Sequence, residues 1–339
     1  MSADRRDLSW LPSRRDVLAA FGAIAVGTVA GGAPAQETGR VPAQDEVADA
    51  DLEGASFGRV VRVGSPATGA VTTLPLEVYV ARVLAAESDP RAMDAAREAL
   101  AIAIRTYALV NEGRHLRDGY DLCDTTHCQV VRASNAATRR LTQATAMQVL
   151  TYDGRPAVLY YSASCGGYSE RASDVWSGVN YPYLQARPDA VHEDEVPWTL
   201  DLSMAEAESA LRRLGFAGQL LSVEVDTRTA SGRAATLRVA GMEPDVVGGD
   251  QFRLAVGATR VRSTAFSMVT EGETLRFAGR GYGHGVGMCV VGAGKRALRG
   301  ESSQAILAQY YPGLELVRLE PAVTAARIPP RPQPFPQPR

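Results

Sequence analysis

Apolar and polar positions divide the chain into helical and extended stretches. After Pro75, the residues Leu76, Val80, Val83 and Leu84 recur at helical spacing and form one apolar stripe that stops at Ser88, Asp89 and Pro90. Pro75 suits the first helical position, where its missing N–H costs nothing. A second helix is predicted from Ala92 to about Glu112, ending at Gly113, and its many alanines would let another element pack close. Phe57 to Val63 reads as a strand. Met147–Tyr152 and Pro156–Tyr161 flank Asp153 and Gly154, the pair preferred in a two-residue hairpin turn. Ser203 and Glu206 form a capping box opening a helix to about Leu214. Leu220–Val225 with Ala235–Val239, and Ser263–Val269 with Thr274–Phe277, read as two more hairpins. A glycine-dense loop, Gly279 to Gly287, precedes two short helices and a strand. Helices and antiparallel hairpins alternate without regular βαβ units, so the predicted class is α+β.

The two ends read differently. Residues 1–35 have the form of a twin-arginine export signal: Arg14 and Arg15 precede a mildly apolar, Gly-diluted run, and Ala33-Pro34-Ala35 supplies a small-x-small cleavage pattern. The run is shorter and less apolar than the ~20 residues that a spanning helix needs, so no transmembrane anchor is expected after signal removal. Residues 36–56 are polar and acidic and read as a flexible linker, and 320–339 as a Pro/Arg-rich disordered tail. The predicted folded domain is 57–319. Formal net charge is −2 and no basic block stands out, which argues against a nucleic-acid partner. Export points to the periplasm or the cell wall.

Candidate chemistry falls in four places. Glu87 continues the apolar stripe and lies in the last turn of its helix. Burial and the helix dipole both raise a carboxyl pKa there, as a general acid requires; the plainer alternative is a helix-end carboxylate turned to water. Cys123, His127 and Cys128 can hold zinc, with His115, Cys165 or Cys289 available as a further ligand, while the four cysteines of an exported chain equally permit two disulfides. The stretch from Ser162 through Gly166 and Gly167 to Glu170 leaves a strand and could offer Ser164, Tyr168 and Glu170 to a ligand, or be a simple turn. Between Arg280 and Cys289, alternate glycines allow close backbone approach, with Tyr282 as an aromatic face and His284 as a titratable group.

Taken in order, Leu74–Tyr79, Val83–Glu87, Ala103–Ala108, Cys123–Val130, Ser164–Glu170 and Gly281–Met288 resemble the SpoIID/LytB family, named for stage II sporulation protein D and an amidase enhancer. The resemblance implies a peptidoglycan-acting protein. Its sporulation member is a lytic transglycosylase cutting between N-acetylmuramic acid and N-acetylglucosamine, and its catalytic glutamate aligns with Glu87. In that mechanism one carboxylic acid protonates the glycosidic oxygen, the sugar's own 6-hydroxyl attacks the anomeric carbon, and the same group then acts as base. A structural zinc near the Cys-His-Cys segment is also implied. The chain departs from the family pattern at Cys289 and Val290, where a Ser-Gln pair is usual, and at Ser88-Asp89-Pro90, where Met-Pro is common.

The expected activity is therefore transglycosylase cleavage of glycan strands leaving 1,6-anhydro ends, with Glu87 as acid and base. Arg105, Gln129, Ser164, Tyr168, Glu170, Tyr282 and His284 are expected on the substrate side. Two alternatives stand beside it: a non-catalytic glycan-binding activator of a cell-wall amidase, and a hydrolase pairing Glu87 with Glu170.

Overall fold

The computed structural model describes residues 47–176, 180–192 and 197–321. The expected export signal, most of the expected linker and the expected tail from 322 onward lie outside the described residues. The last part of the linker is a correction: α1 (Asp49–Ala55) is helical, and its Leu52 is fully buried. One apolar side chain inside an acidic run, too short to show a period, is enough to dock that turn on the core.

The class is α+β, as the pattern predicted. β1 (Val60–Gly64) pairs antiparallel with β2 (Val71–Pro75), which leads directly into α2 (Leu76–Glu87). α2 is buried on nearly every side, from Leu76 through Leu84. α3 (Asp94–Val110) is the central helix, its Ala99–Ile104 segment essentially without exposed surface. It packs against α2, α4 (Ala136–Ala144) and the two late helices described below, and its small side chains permit those close approaches. β3 (Leu122–Cys123) joins β1 in parallel.

The Asp153-Gly154 turn forms as expected, with φ of +49° and +72°. It links β4 (Gln148–Tyr152) to β5 (Arg155–Pro156), but the second strand is shorter than predicted. The rest of the predicted strand is claimed by a different partner. β6 (Tyr161–Ser162) pairs in parallel with the late segment Met288–Cys289, and the Tyr160 carbonyl accepts from Met288 N at 3.2 Å. β7 (Tyr168–Ser169), α5 (Ala172–Val175) and β8 (Arg187–Pro188) follow, with β7 antiparallel to β8.

A second hydrophobic core is built from residues 198–277. β9 (Trp198–Ser203) leads into α6 (Met204–Arg213), whose capping box is present, with Ser203 Oγ accepting from Glu206 N. The long hairpin of β10 (Ala217–Arg228) and β11 (Ala234–Glu243) carries β12 (Val246–Gly248) on its edge. α7 (Gly249–Val256) and the β13 (Phe266–Glu271)–β14 (Thr274–Gly279) hairpin complete it, β14 pairing back onto β9. The chain then returns to the first core through β15 (Met288–Cys289), α8 (Val290–Leu298), α9 (Ser303–Tyr310) and β16 (Glu315–Arg318), which pairs with β4. The β-rich module is thus an insertion within the first core. No described helix is long and apolar enough to cross a membrane.

Candidate functional site

Glu87 is the last residue of α2 and is half-buried. Its Oε1 accepts a hydrogen bond from Val130 N at 3.1 Å. Burial raises the carboxyl pKa above the ordinary value, and the Val130 amide and the Arg132 charge oppose that shift without cancelling it. The direction of the shift is the one a general acid at this helix end would need.

The segment that meets Glu87 is anchored on both sides. Tyr79 OH donates to Gln129 Oε1 at 2.8 Å, and Gln129 Nε2 donates to Tyr161 OH at 2.9 Å. Gln129 is thus a buried bridge holding the Val130 amide in place, not a side chain open to a ligand. The negative charge of Glu87 is felt at the buried Tyr161 hydroxyl, and the Tyr161 backbone hydrogen-bonds the His284 imidazole.

His284 sits in the glycine loop, where Gly281, Gly283, Gly285 and Gly287 all have positive φ, between +72° and +103°. A side chain at Gly287 would collide with the Tyr160 carbonyl, and one at Gly285 with the Arg233 guanidinium, so the close approach requires glycine at both. His284 Nδ1 accepts from Val286 N at 3.0 Å, and the ring packs 4.9 Å from Trp176 and 6.1 Å from Tyr160, centroid to centroid. Burial, with the charges of Arg253 and Arg233 adding to it, lowers the imidazole pKa to about 3. The ring is neutral at working pH. Tyr282, 40% exposed, lies on the outer side of the same loop, which pairs with Ser164 through the two backbones.

Three other expected substrate residues are corrected. Arg105 is fully buried and forms two bonds to the fully buried Glu77, Nε to Oε1 at 2.8 Å and Nη2 to Oε2 at 2.6 Å. It is a structural tie between α3 and α2 and presents nothing to a ligand. Glu170 is buried, and its oxygens accept from Thr229 Oγ1 and Ser231 Oγ at 2.6 Å each and from Arg171 N at 2.8 Å. That cage, supplied largely by the inserted module, removes Glu170 from any two-carboxylate arrangement. Ser164 is also buried, with its Oγ accepting from Gly166 N at 3.2 Å. Tyr168 is half-buried on β7, beside β8. Sequence reasoning missed Tyr160, Tyr161 and Trp176, whose aromatic character looked like ordinary strand and core composition.

The Cys-His segment folds into one constellation. Cys123 ends β3, and the following turn brings His127 and Cys128 back toward it; His115 is the fourth member. His115 Nε2 lies 3.3 Å from His127 Nδ1 and 3.4 Å from Cys128 Sγ, while His127 Nδ1 is 3.6 and 3.5 Å from the two sulfurs. Zinc bonds of about 2.0–2.3 Å set tetrahedral edges of about 3.3–3.8 Å, so the donors fit that ion. His115 Nδ1 is held by Asp118 Oδ2 at 3.0 Å, a carboxylate orienting the ligand from behind. None of the four cysteines is bridged. From Cys128 the chain needs two residues to reach Val130, so this constellation also fixes the strap lying against Glu87.

Just beyond Glu87, a pocket of about 440 Å³ opens between the start of α3 and α8, lined by Ser88, Asp89, Ala92, Leu100, Val290, Val291 and Leu298 among others.

The fold and these groups define an α+β protein with a raised-pKa glutamate near a Cys2His2 constellation of metal-type donors. The family model described as stage II sporulation protein matches residues 65–152, and a domain of unknown function matches 197–287, the region of the second core. An uncharacterized protein of Brachyspira hyodysenteriae is 31% identical over 253 residues, 73% of this chain and 68% of that protein. The amidase enhancer of Bacillus subtilis is 28% identical over 65% of this chain, which spans only 38% of that protein's length. Stage II sporulation protein D of Bacillus amyloliquefaciens is 27% identical over 73% of this chain and 75% of its own. The chain belongs to the SpoIID/LytB family.

Proposed function

We propose that this protein is a cell-wall enzyme, a peptidoglycan lytic transglycosylase in which Glu87 is the sole acid and base. The observation that carries this reading is the Glu87 carboxyl itself: half-buried, raised in pKa, with one oxygen fixed by the Val130 amide. Its proton goes to the glycosidic oxygen as the bond to the anomeric carbon breaks. The muramoyl 6-hydroxyl then attacks that carbon, and the Glu87 carboxylate takes the hydroxyl proton, closing the 1,6-anhydro ring and restoring the acid. One carboxyl serves both steps, which agrees with Glu170 being caged elsewhere. A hydrolase built on the Glu87–Glu170 pair is disfavoured for the same reason.

Tyr282 and Trp176 offer aromatic surface to sugar rings, and neutral His284 holds the glycine loop against Tyr160 and Tyr161. Zinc in the Cys123/His127/Cys128/His115 constellation would be structural, since four protein donors leave no open position. Export through the twin-arginine leader would deliver the folded, metal-loaded chain to this substrate.

A second reading has its own support. The name of the Bacillus subtilis relative is amidase enhancer, and the pocket beside Glu87 is lined in part by the exposed apolar side chains Val291 and Leu298, where a cell-wall amidase could dock. Incubation of purified glycan strands, with and without stem peptides, followed by mass spectrometry decides. Release of 1,6-anhydro ends that falls at least ~100-fold in Glu87→Gln supports the enzyme. Strand binding without cleavage, together with stimulation of an added amidase, supports the activator and overturns the enzyme.

A further inference from the structure

A second group of metal-type donors lies away from the Cys2His2 constellation, and nothing in the glycan reading requires it. Cys165 follows β6, Asp189 and His192 flank the short turn after β8, and Cys289 is the N-cap of α8. All four are buried, none more than 4% exposed, and their donor atoms all lie within 4.8 Å of one another. We propose that these residues form a second, closed zinc site that fastens three distant segments of the first core.

The direction of the donors separates this arrangement from a nucleophile with its base. Cys289, His192 and Asp189 have the composition of a thiol triad. In such a triad the thiol and the carboxylate bind opposite nitrogens of the imidazole. Here both face the same atom: His192 Nε2 is 3.0 Å from Cys289 Sγ and 3.7 Å from Asp189 Oδ2. Cys165 Sγ closes the group at 3.8 Å from the same Oδ2. Groups converging on one point suit an ion at its centre, and complete burial leaves no path for a substrate. These edges of 3.0–3.8 Å compare with the ~3.3–3.8 Å of a tetrahedral zinc site. Two sulfurs, one imidazole nitrogen and one carboxylate oxygen are ligands zinc accepts.

The surroundings are built for the same purpose. Asp189 Oδ1 accepts from Arg296 at 3.0 Å and Oδ2 from Tyr310 OH at 2.7 Å, so the carboxylate is oriented from behind. The amides of Cys165 and Gly292 point at Cys289 Sγ from 3.3 and 3.2 Å and fix the position of that sulfur. Gly292 is the residue that lets α8 approach: a Cβ at that position would come 2.6 Å from Asp189 Oδ2 and 3.1 Å from His192 Nε2.

The test uses the full chain purified without chelator or reductant. Elemental analysis is expected to give two zinc ions per chain. The Cys123→Ser/Cys128→Ser variant should keep one, and its cobalt-substituted form should show a thiolate-to-cobalt charge-transfer band that is lost when His192→Ala is added. The Cys165→Ser/Cys289→Ser variant should lose one ion of the two. A wild-type count of one per chain overturns the proposal, as does a Cys165–Cys289 disulfide found by non-reducing mass analysis. The wild-type count decides the matter even where a variant fails to fold.

Discussion

Glu77 and Arg105 meet face to face between α2 and α3, both without exposed surface, joined by two parallel N–H···O bonds. Arg105 also reaches the Gln148 carbonyl at 2.9 Å, and Glu77 Oε1 accepts from Met147 N at 2.9 Å, so the pair ties both helices to the start of β4. Removing one partner strands a buried charge. Arg105→Ala should therefore cost about 3–5 kcal/mol of folding stability, measured by urea unfolding. Arg105→Lys should recover only part of it, because an ammonium cannot make the two-pronged contact. A loss of glycan binding with unchanged stability would instead return Arg105 to the substrate side.

Glu87 gives a pH signature. In the unfolded chain its carboxyl ionises near pH 4.3, whereas the folded state holds the proton to higher pH because of burial. The native state thus binds more protons in that window, and Glu87 makes stability fall as pH rises from about 4 through its folded pKa. Glu87→Gln removes this term. Relative to wild type, the variant should gain stability between pH 4 and pH 7 in thermal or denaturant melts, and a flat difference would contradict the raised pKa.

Arg132 is the charge that pulls the Glu87 pKa back down. Arg132→Gln should move it further up, carrying the alkaline limb of any Glu87-dependent activity to higher pH. A pH–rate profile shows the shift directly, and an unmoved limb would mean that the Arg132 charge is screened by solvent.

His284 runs the other way. Its folded pKa of about 3 lies below the ordinary value of about 6.5, so the unfolded state takes up the proton first as pH falls. The His284 contribution is complete above pH ~6.5 and is lost on acidification toward pH 3. Proton NMR of the ring should show no titration between pH 5 and 8, and the stability deficit of His284→Gln should narrow in acid.

Metal removal tests the Cys2His2 constellation. His115→Ala should lower the zinc content by one ion and loosen the strap from Cys128 to Val130, seen as faster hydrogen exchange at the Val130 amide. Unchanged metal content would exclude His115 as a ligand.

Local chemistry made much of this molecule readable from its sequence. The ends of α2 and α3, the Asp153-Gly154 turn and the Ser203–Glu206 capping box each depend on residues a few positions apart, and each formed. Glu87 was legible because the helical period and the helix end are both local. Arg105 misled because the pattern marks a position as important without saying whether it faces a ligand or a buried carboxylate 28 residues earlier. Glu170 misled for a similar reason, since the hydroxyls of Thr229 and Ser231 arrive from the inserted module. Asp189 and His192 carry no neighbouring motif, and the pairing with Cys165 and Cys289 exists only in three dimensions. The apolar pattern likewise gave strands without partners, so it could not show that residues 198–277 close around a core of their own.

That insertion has a consequence for the order of assembly on the ribosome. The module can bury its own apolar surface as soon as its strands emerge. The flanking core must wait for contacts of very long sequence separation: Thr151 bonds the Glu315 carbonyl 164 residues on, and the Ala146 carbonyl receives Arg318 after 172. Closing such loops is slow, and no partial chain has the means to do it. A nascent chain stopped before Met288 would carry a finished module on an open scaffold, with Glu87 on its helix but without the β15 strand that docks the end of the glycine loop onto β6. The half of the fold that carries Glu87 and the docked glycine loop therefore closes only after Arg318 has emerged.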